Sequence, residues 1–442
     1  MENFNSADDH VARRHRRNLT FLVKSAVFLS ATTVVTSGLG FAYWALAARL
    51  FSASDVGASA TAIAAMNLIA PFVIVGLGTA LASRLPTLPG NRAELVSTAA
   101  LFCGVVGGGV ALALALVLPS GFLGLPGIGR QTAPTLLFAG GVAIQGIALM
   151  LDTALLSVVG GGIQFWRNTI FATTKLLFLI AIAFGASQLG SLGIYASWFV
   201  ANVVGVAAAT VWLLRTHRVH LRRLRPTPAV LSGLPQHAAG HHALNLALQV
   251  PFFAMPIVAN ITLGSEQAGY LYATWSVASL AFVLPMALAT ALFATGARDS
   301  STILKEFRRT LRWSLSAATA ANLVVLPLGA VLLGIFGEAY ADNGRTALTV
   351  LCIGALGAVI KDHHVALARI SGQVGREAIL ISGLGALEII GATIGASRGG
   401  ITGLAVGWLA VVVLRTALCG PRVWKAYNGR FIIPTASGAG IG

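Results

Sequence analysis

The chain has 442 residues, of which 56% are hydrophobic and 10% charged, with a mean hydropathy of +0.81. So little charge would leave a soluble surface undecorated, and repeated apolar runs long enough to cross a ~30 Å hydrocarbon core define a polytopic helical membrane protein; the runs are continuous rather than alternating, which excludes a β-barrel. The net charge of +16 sits on Arg and Lys clustered in short connecting segments, a pattern that orients spans in a membrane, so nucleic acid is not an expected partner.

Residues 1–18 read as a cytoplasmic tail. The polar, basic start leads into an apolar run with no Ala-x-Ala cleavage site at its end, so that run is the first span and not a signal peptide. Spans 1 to 6 are predicted at about Leu22–Leu50, Ala58–Ala82, Val96–Leu118, Ala133–Val158, Phe165–Phe184 and Leu192–Leu214. The basic, Pro-broken stretch Arg215–Gln236 follows. Spans 7 to 12 are predicted at about Ala239–Leu263, Ala268–Ala294, Ser314–Phe336, Ala347–Ile370, Ala378–Ala396 and Ile401–Cys419, with a basic loop Thr295–Trp313 before span 9. The fold class is therefore all-α, about twelve transmembrane helices in two six-helix bundles. The expected division is a tail (1–18), an N-terminal bundle (19–215), a connector (216–238), a C-terminal bundle (239–424) and a second tail (425–442). With twelve spans, 24 Arg and Lys fall on one side and only Arg49, Arg130, Arg345 and Arg398 on the other, with Lys175 and Lys361 inside spans. This asymmetry predicts both termini on the cytoplasmic face of the cell membrane.

The two halves resemble each other. Gly190-Ser-Leu-Gly193-Ile-Tyr-Ala-Ser-Trp198 aligns with Gly400-Ile-Thr-Gly403-Leu-Ala-Val-Gly-Trp408, an offset of 210 residues. Phe51–Gly57 aligns with Leu263–Gly269 at 212, and Gly129-Arg130 with Gly344-Arg345 at 215. Six spans per half give the halves the same orientation, a parallel repeat, and two such bundles flanking a cavity suit alternating access and transport.

The residues of the first repeat also carry a family likeness. Ala47-Ala-Arg49-Leu-Phe-Ser-Ala-Ser-Asp-Val-Gly57 after a first span, and the Gly-x-x-Gly-x-x-Ala-x-Trp opening of span 6, resemble the polysaccharide flippases for O-antigen and exopolysaccharide. These belong to the multidrug/oligosaccharidyl-lipid/polysaccharide exporter superfamily. Where that family usually has Pro in the first loop, this chain has Ser52-Ala-Ser54. The resemblance implies a V-shaped pair of six-helix bundles that moves a polyprenyl-diphosphate-linked oligosaccharide across the cytoplasmic membrane. Lipid II flippases commonly have fourteen spans, against twelve here. The same superfamily holds multidrug and toxin exporters coupled to a cation, which is the alternative reading. A membrane polysaccharide polymerase or glycosyltransferase is a further alternative, but the outer loops Pro119–Arg130 and Gly337–Arg345 are short for such an enzyme.

Charged side chains within spans cost about 2.5–3.5 kcal/mol on insertion scales and call for a reason. A diphosphate headgroup needs cations and a hydrogen-bonding cavity, so Arg49, Lys175 and Lys361 are substrate-binding candidates; the resemblance implies that span 7 looks toward the central cavity, which makes its Asn245 and Gln249 candidates to hydrogen-bond the sugar. Asp152, Asp362, His363, His364 and Glu388 are candidates to carry a coupling ion, proton or sodium. Each has a structural alternative: Asp152 and Lys175 can pair across adjacent helices, and Lys361 and Asp362 project about 100° apart on a helix, so they cannot share one focus. Pro251, Pro256 and Pro285 are candidate kinks in spans 7 and 8. Gly107–Gly109 and Gly160–Gly162 read as close-packing runs rather than phosphate cradles. Cys103, Cys352 and Cys419 lie in apolar segments without metal-ligand spacing. No catalytic motif, metal site or cofactor is expected; the expected partners are membrane lipids and the lipid-linked oligosaccharide.

Overall fold

The computed structural model describes residues 28, 31–74, 77, 81, 85, 92–216, 238–296 and 303–430. The tail 1–18, residues 217–237 of the basic connector and residues 431–442 of the second tail lie outside the described residues. Among the described residues there is no strand. The helices are α1 (Ala31–Leu50), α2 (Ala53–Ile74), α3 (Arg92–Val117), α4 (Thr132–Val158), α5 (Gly161–Gly185) and α6 (Gly190–Arg215), with a short 3₁₀ turn at Ser187–Leu189. Then come α7 (Ala238–Leu263), α8 (Ser265–Gly296), α9 (Ile303–Gly334) and α10 (Glu338–Ile370).

The last run, Val374–Tyr427, is 54 residues. Straight, it would measure about 80 Å, far beyond a bilayer core of ~30 Å. It bends at Gly399 and Gly400, the latter at φ 59 and ψ −147. We treat 374–398 as α11 and 401–427 as α12. Side chains of the two limbs meet across the bend, as Trp408 with Glu388 shows, so the limbs run antiparallel. Gly400 holds a conformation that side-chain-bearing residues avoid. Gly400→Ala is expected to lower stability by about 1–3 kcal/mol, while Gly399→Ala, at a negative φ of −147, costs less. Thermal unfolding of the two variants in detergent checks this.

The chain forms two compact units. The first holds Met1–Tyr43, Ile69–Leu118 and Gly127–Ala238; the second holds Trp44–Leu68, Pro119–Pro126 and Ala239–Gly442. This grouping departs from the division at 215–239, because the end of α1 and the start of α2 pack with the second set of helices. Trp44 lies against Tyr272 with ring centroids 4.4 Å apart. Asn260 Nδ2 donates to Gly121 O at 2.8 Å. A Cβ built on Gly57 would stand 1.7 Å from Ser265 O, and one on Gly269 2.3 Å from Ala53 O. These two glycines, matched in the repeat, let α2 and α8 meet backbone to backbone. Ser52, where the flippases usually have Pro, opens α2: its Oγ accepts from the Asp55 amide at 3.1 Å and donates to Asp55 Oδ2 at 2.6 Å, a reciprocal cap.

Two predicted loops are helix. α9 begins at Ile303, inside the stretch Thr295–Trp313, because Ile303, Phe307 and Leu311 recur every four residues and bury one face while Lys305, Arg308, Arg309 and Arg312 lie on others. Phe307 and Leu311 pack there on Leu292, Val359 and Leu367. α10 begins at Glu338, so Gly337–Arg345 is mostly its first two turns. That extra length places Gly344 inside α10, whereas Gly129 sits in the turn before α4. The third repeat match is therefore not a structural equivalence. The three cysteines are buried and unbridged, as expected of small core residues.

Candidate functional site

In the first unit the prominent feature is Lys175, on α5 and 4% exposed. Its Nζ lies 4.2 Å from the ring centroid of Trp198, 5.0 Å from Tyr43 and 5.1 Å from Phe171. Aromatic faces attract a cation by their quadrupole. Tyr43 is held by its hydroxyl, which lies 2.7 Å from Ser197 Oγ and 3.0 Å from Ile194 O. No carboxylate among the described residues pairs with Lys175.

The alternative pairing of Lys175 with Asp152 does not form. Asp152 Oδ1 lies 2.6 Å from Arg167 Nε, and Arg167 Nη2 donates to Asp152 Oδ2 at 2.7 Å. Asp152 stands one and a half turns before the end of α4, which brings it level with the start of α5. Lys175 is eight residues past Arg167, about 12 Å further along the helix.

In the second unit every acid singled out from the sequence has a basic partner. Glu388 on α11 pairs through Oε1 with Arg415 Nη1 of α12, and its Oε2 accepts from Trp408 Nε1 at 3.0 Å. Asp362 Oδ1 is 3.1 Å from the adjacent Lys361 Nζ, so these neighbours meet each other despite their angular offset. His364 Nε2 is 2.8 Å from Glu377 Oε1, and Arg422 Nη1 is 3.6 Å from Glu377 Oε2. His363 is fully buried, with Nδ1 2.9 Å from Val359 O and its ring edge-on to Phe307. It is a core histidine, apart from the His364 cluster. Arg49 is exposed at the end of α1 and donates to the carbonyls of Gly334 and Ile335, where a cation suits the negative end of α9. Asn245 accepts from Arg369 Nη2 at 2.7 Å, and Gln249 is exposed one turn on.

Four residues in this arrangement were not candidates from the sequence: Arg167, Glu377, Arg415 and Arg422. The three arginines read as orienting charges at span ends, and Glu377 fell before the predicted start of span 11. A usable signal existed in equal spacing about the turns. Residues 152 and 167 are equidistant from the bend at 159–160, and 408 and 415 flank the position opposite 388 across the bend at 399–400.

The halves share these charged positions with the sign reversed. Lys175 and Glu388 are each the fifteenth residue of their helix, and each touches the Trp matched in the repeat, Trp198 or Trp408. Arg415, which neutralises Glu388, corresponds at the same offset to Gly205 on α6. Among the described residues, then, Lys175 has no carboxylate where Glu388 has Arg415. Likewise Asp152–Arg167 joins α4 to α5 where His364–Glu377 joins α10 to α11, though Glu377 stands one turn nearer its helix start than Arg167.

Neither a family profile nor a curated protein matches the sequence. Solved structures do. An inward-facing multidrug resistance MATE family transporter of the MOP superfamily superposes with a TM-score of 0.68 at 14% identity, covering 91% of this chain and 99% of that one. An outward-facing structure of a MATE family transporter gives 0.62 at 16% identity, covering 92% and 96%. A MOP superfamily transporter from Pyrococcus furiosus, described as having a binding pocket of reverse polarity that suggests a different function, gives 0.61 at 16% identity over 91% of this chain and 96% of that one. At these identities the shared property is the fold: the chain is a multi-pass membrane protein with the all-helical architecture, about twelve spans, of the transporters of the MOP superfamily.

Proposed function

We propose that the protein is a transporter that moves an anionic amphiphile by alternating access, and that its substrate class is a polyprenyl-diphosphate-linked oligosaccharide for cell-surface polysaccharide. The observation that carries this reading is the charge balance of the buried residues. Glu377 and Glu388 have basic partners, whereas Lys175 has aromatic rings and, among the described residues, no carboxylate. A buried cation without a counter-ion is costly in a membrane, and an incoming phosphate relieves that cost. A carrier of organic cations needs the opposite, a carboxylate open to its substrate. The positive-inside asymmetry supports cytoplasmic termini and hence loading from the cytoplasmic leaflet. The resemblance of the first-loop and span-6 motifs to polysaccharide flippases points the same way.

A second reading, cation-coupled export of drugs or toxins, is favoured by the matched structures, two of which are described as multidrug transporters. The two readings separate in cells lacking the gene. Under the first, lipid-linked oligosaccharide accumulates in the inner leaflet; wild type clears it and Lys175→Met lowers clearance about tenfold or more, the weight of one charge-assisted contact. If precursor and surface polysaccharide are unchanged by deletion while sensitivity to lipophilic cations rises, the second reading replaces the first.

A further inference from the structure

In the second unit the first turns of α9 meet the last turns of α12. Phe307 and Leu311 share one buried cluster with Val423 and Ala426. Arg308 Nε donates to Tyr427 O, and a Cβ on Gly429 would stand 2.9 Å from Arg308 Nη2. Gly429, at φ 75, closes α12, and the Arg430 amide donates back to Lys425 O at 2.9 Å. The apolar runs of the sequence begin at Ser314 and end at Cys419, so this joined surface is built from the polar turns beyond both.

Its exposed side is cationic. On α9, Lys305, Arg309 and Arg312 stand at i, i+4 and i+7, one stripe opposite the buried Ile303, Phe307 and Leu311. Lys425 is exposed at the end of α12 and Arg430 just beyond it. Deeper in this unit the cations are answered: Lys361 by Asp362, Arg415 by Glu388, Arg422 by Glu377. Among the described residues no carboxylate pairs with Lys305, Arg309, Arg312, Lys425 or Arg430. The acid on these turns is the half-buried Glu306.

Orienting the spans needs basic residues near this end. It does not need them on one stripe, level with a second basic helix end and beside two exposed indoles. Along α9 the exposed residues run from the three cations to Trp313, 63% exposed, and then to Leu323, Val324 and Val331. Along α12 they run from Val413, Leu414 and Leu418 to Trp424, 66% exposed, and then to Lys425. Both helices thus pass from apolar to indole to cation toward the end where they meet. Trp424 stacks on Tyr427, ring centroids 6.0 Å apart and planes 13° from parallel. Leu323 lies about 15 Å along α9 from Trp313, and Leu418 about 9 Å along α12 from Trp424. Indoles favour the boundary between hydrocarbon and headgroups, which sets the cations at the depth of lipid phosphates.

We propose that this surface docks anionic phospholipid of the adjoining leaflet. Lys305, Arg309, Arg312 and Lys425 hold the phosphate groups, and the acyl chains run past Trp313 and Trp424 along α9 and α12. The occupant follows from charge complementarity and from the apolar surface beyond the indoles, which a soluble polyanion would leave unused. The inference does not depend on which substrate the protein transports.

The test is native mass spectrometry of the full chain from mild detergent containing equimolar phosphatidylglycerol and phosphatidylcholine. A surface cation beside an anionic headgroup is worth about fivefold, so wild type should retain phosphatidylglycerol over phosphatidylcholine by about tenfold or more. Lys305→Gln/Arg309→Gln/Arg312→Gln should bring that ratio close to one. Arg130→Gln/Arg345→Gln/Arg398→Gln removes the same charge from exposed positions outside the surface and should leave the ratio unchanged. Trp313→Ala/Trp424→Ala keeps every cation and should lower retention of both lipids. All of these side chains are exposed, and each variant is first shown to melt as wild type does in phosphatidylcholine alone. Equal retention of both lipids by wild type, an unchanged ratio in the α9 triple variant, or unchanged retention in the double Trp variant overturns the proposal. So does an equal fall in the Arg130 triple variant, which would make the preference a matter of net charge.

Discussion

Arg415→Met is expected to destabilise the second unit by about 3–5 kcal/mol, because it leaves a buried carboxylate with its cation removed. Glu388 is 3% exposed, and Trp408 Nε1 would remain as its one neutral donor among the contacts seen here. The loss is a large fraction of a total stability of about 5–15 kcal/mol, so the single variant should melt far below wild type in detergent or fail to accumulate. The double variant Glu388→Gln/Arg415→Met removes both charges and keeps an acceptor for Trp408. It should recover most of the stability, since a neutral pair of similar volume often matches a buried ion pair. Its transport rate then decides the role of Glu388. A double variant that transports at the wild-type rate makes the pair scaffold; one that folds and does not transport returns Glu388 to the coupling-ion candidates. An Arg415→Met protein with a wild-type melting temperature would contradict the buried-pair geometry itself.

Gly57→Val should be comparably damaging for a different reason. Its Cβ would stand 1.7 Å from Ser265 O and 2.5 Å from the Gly269 amide nitrogen, both backbone atoms. Backbone cannot rotate out of the way as a side chain can, so α2 and α8 must separate along their contact. The expected cost is about 3 kcal/mol or more, at the upper end of overpacking effects, and Gly57→Ala should already show most of it. Gly383 gives the contrast, since an added Cβ there meets nothing within 4 Å. Gly383→Ala should raise stability by about 0.5–1 kcal/mol through helix propensity. Thermal unfolding of both variants in one detergent checks the pair of expectations, and a Gly57→Val protein as stable as wild type would rule out the close α2–α8 contact.

The spans were legible because a bilayer imposes length and hydropathy on every one of them. Where the prediction slipped, at α9 and α10, amphipathic or polar turns extend a helix beyond the apolar run. Hydropathy ends a span where the lipid ends, whereas hydrogen bonding and a buried stripe such as Ile303, Phe307 and Leu311 carry the helix on. The first-loop and span-6 motifs were equally legible, and the structure explains them as packing devices: Gly57 and Gly269 let backbones touch, and Trp198 and Trp408 cover a buried charge.

By itself, then, the chain determined an all-helical membrane protein of about twelve spans, a repeat, and the list of charges that need an explanation inside a membrane. Those follow from composition and local pattern, which act within one helix. Which charge answers which was decided by tertiary structure alone. Asp152 meets Arg167 rather than Lys175, and Glu377 gathers His364 and Arg422 from two helices, because the turn geometry sets which helical turns lie level. The aromatic surround of Lys175 comes from the same source: Tyr43, Phe171 and Trp198 reach it from three helices, and facing is a property of packed helices.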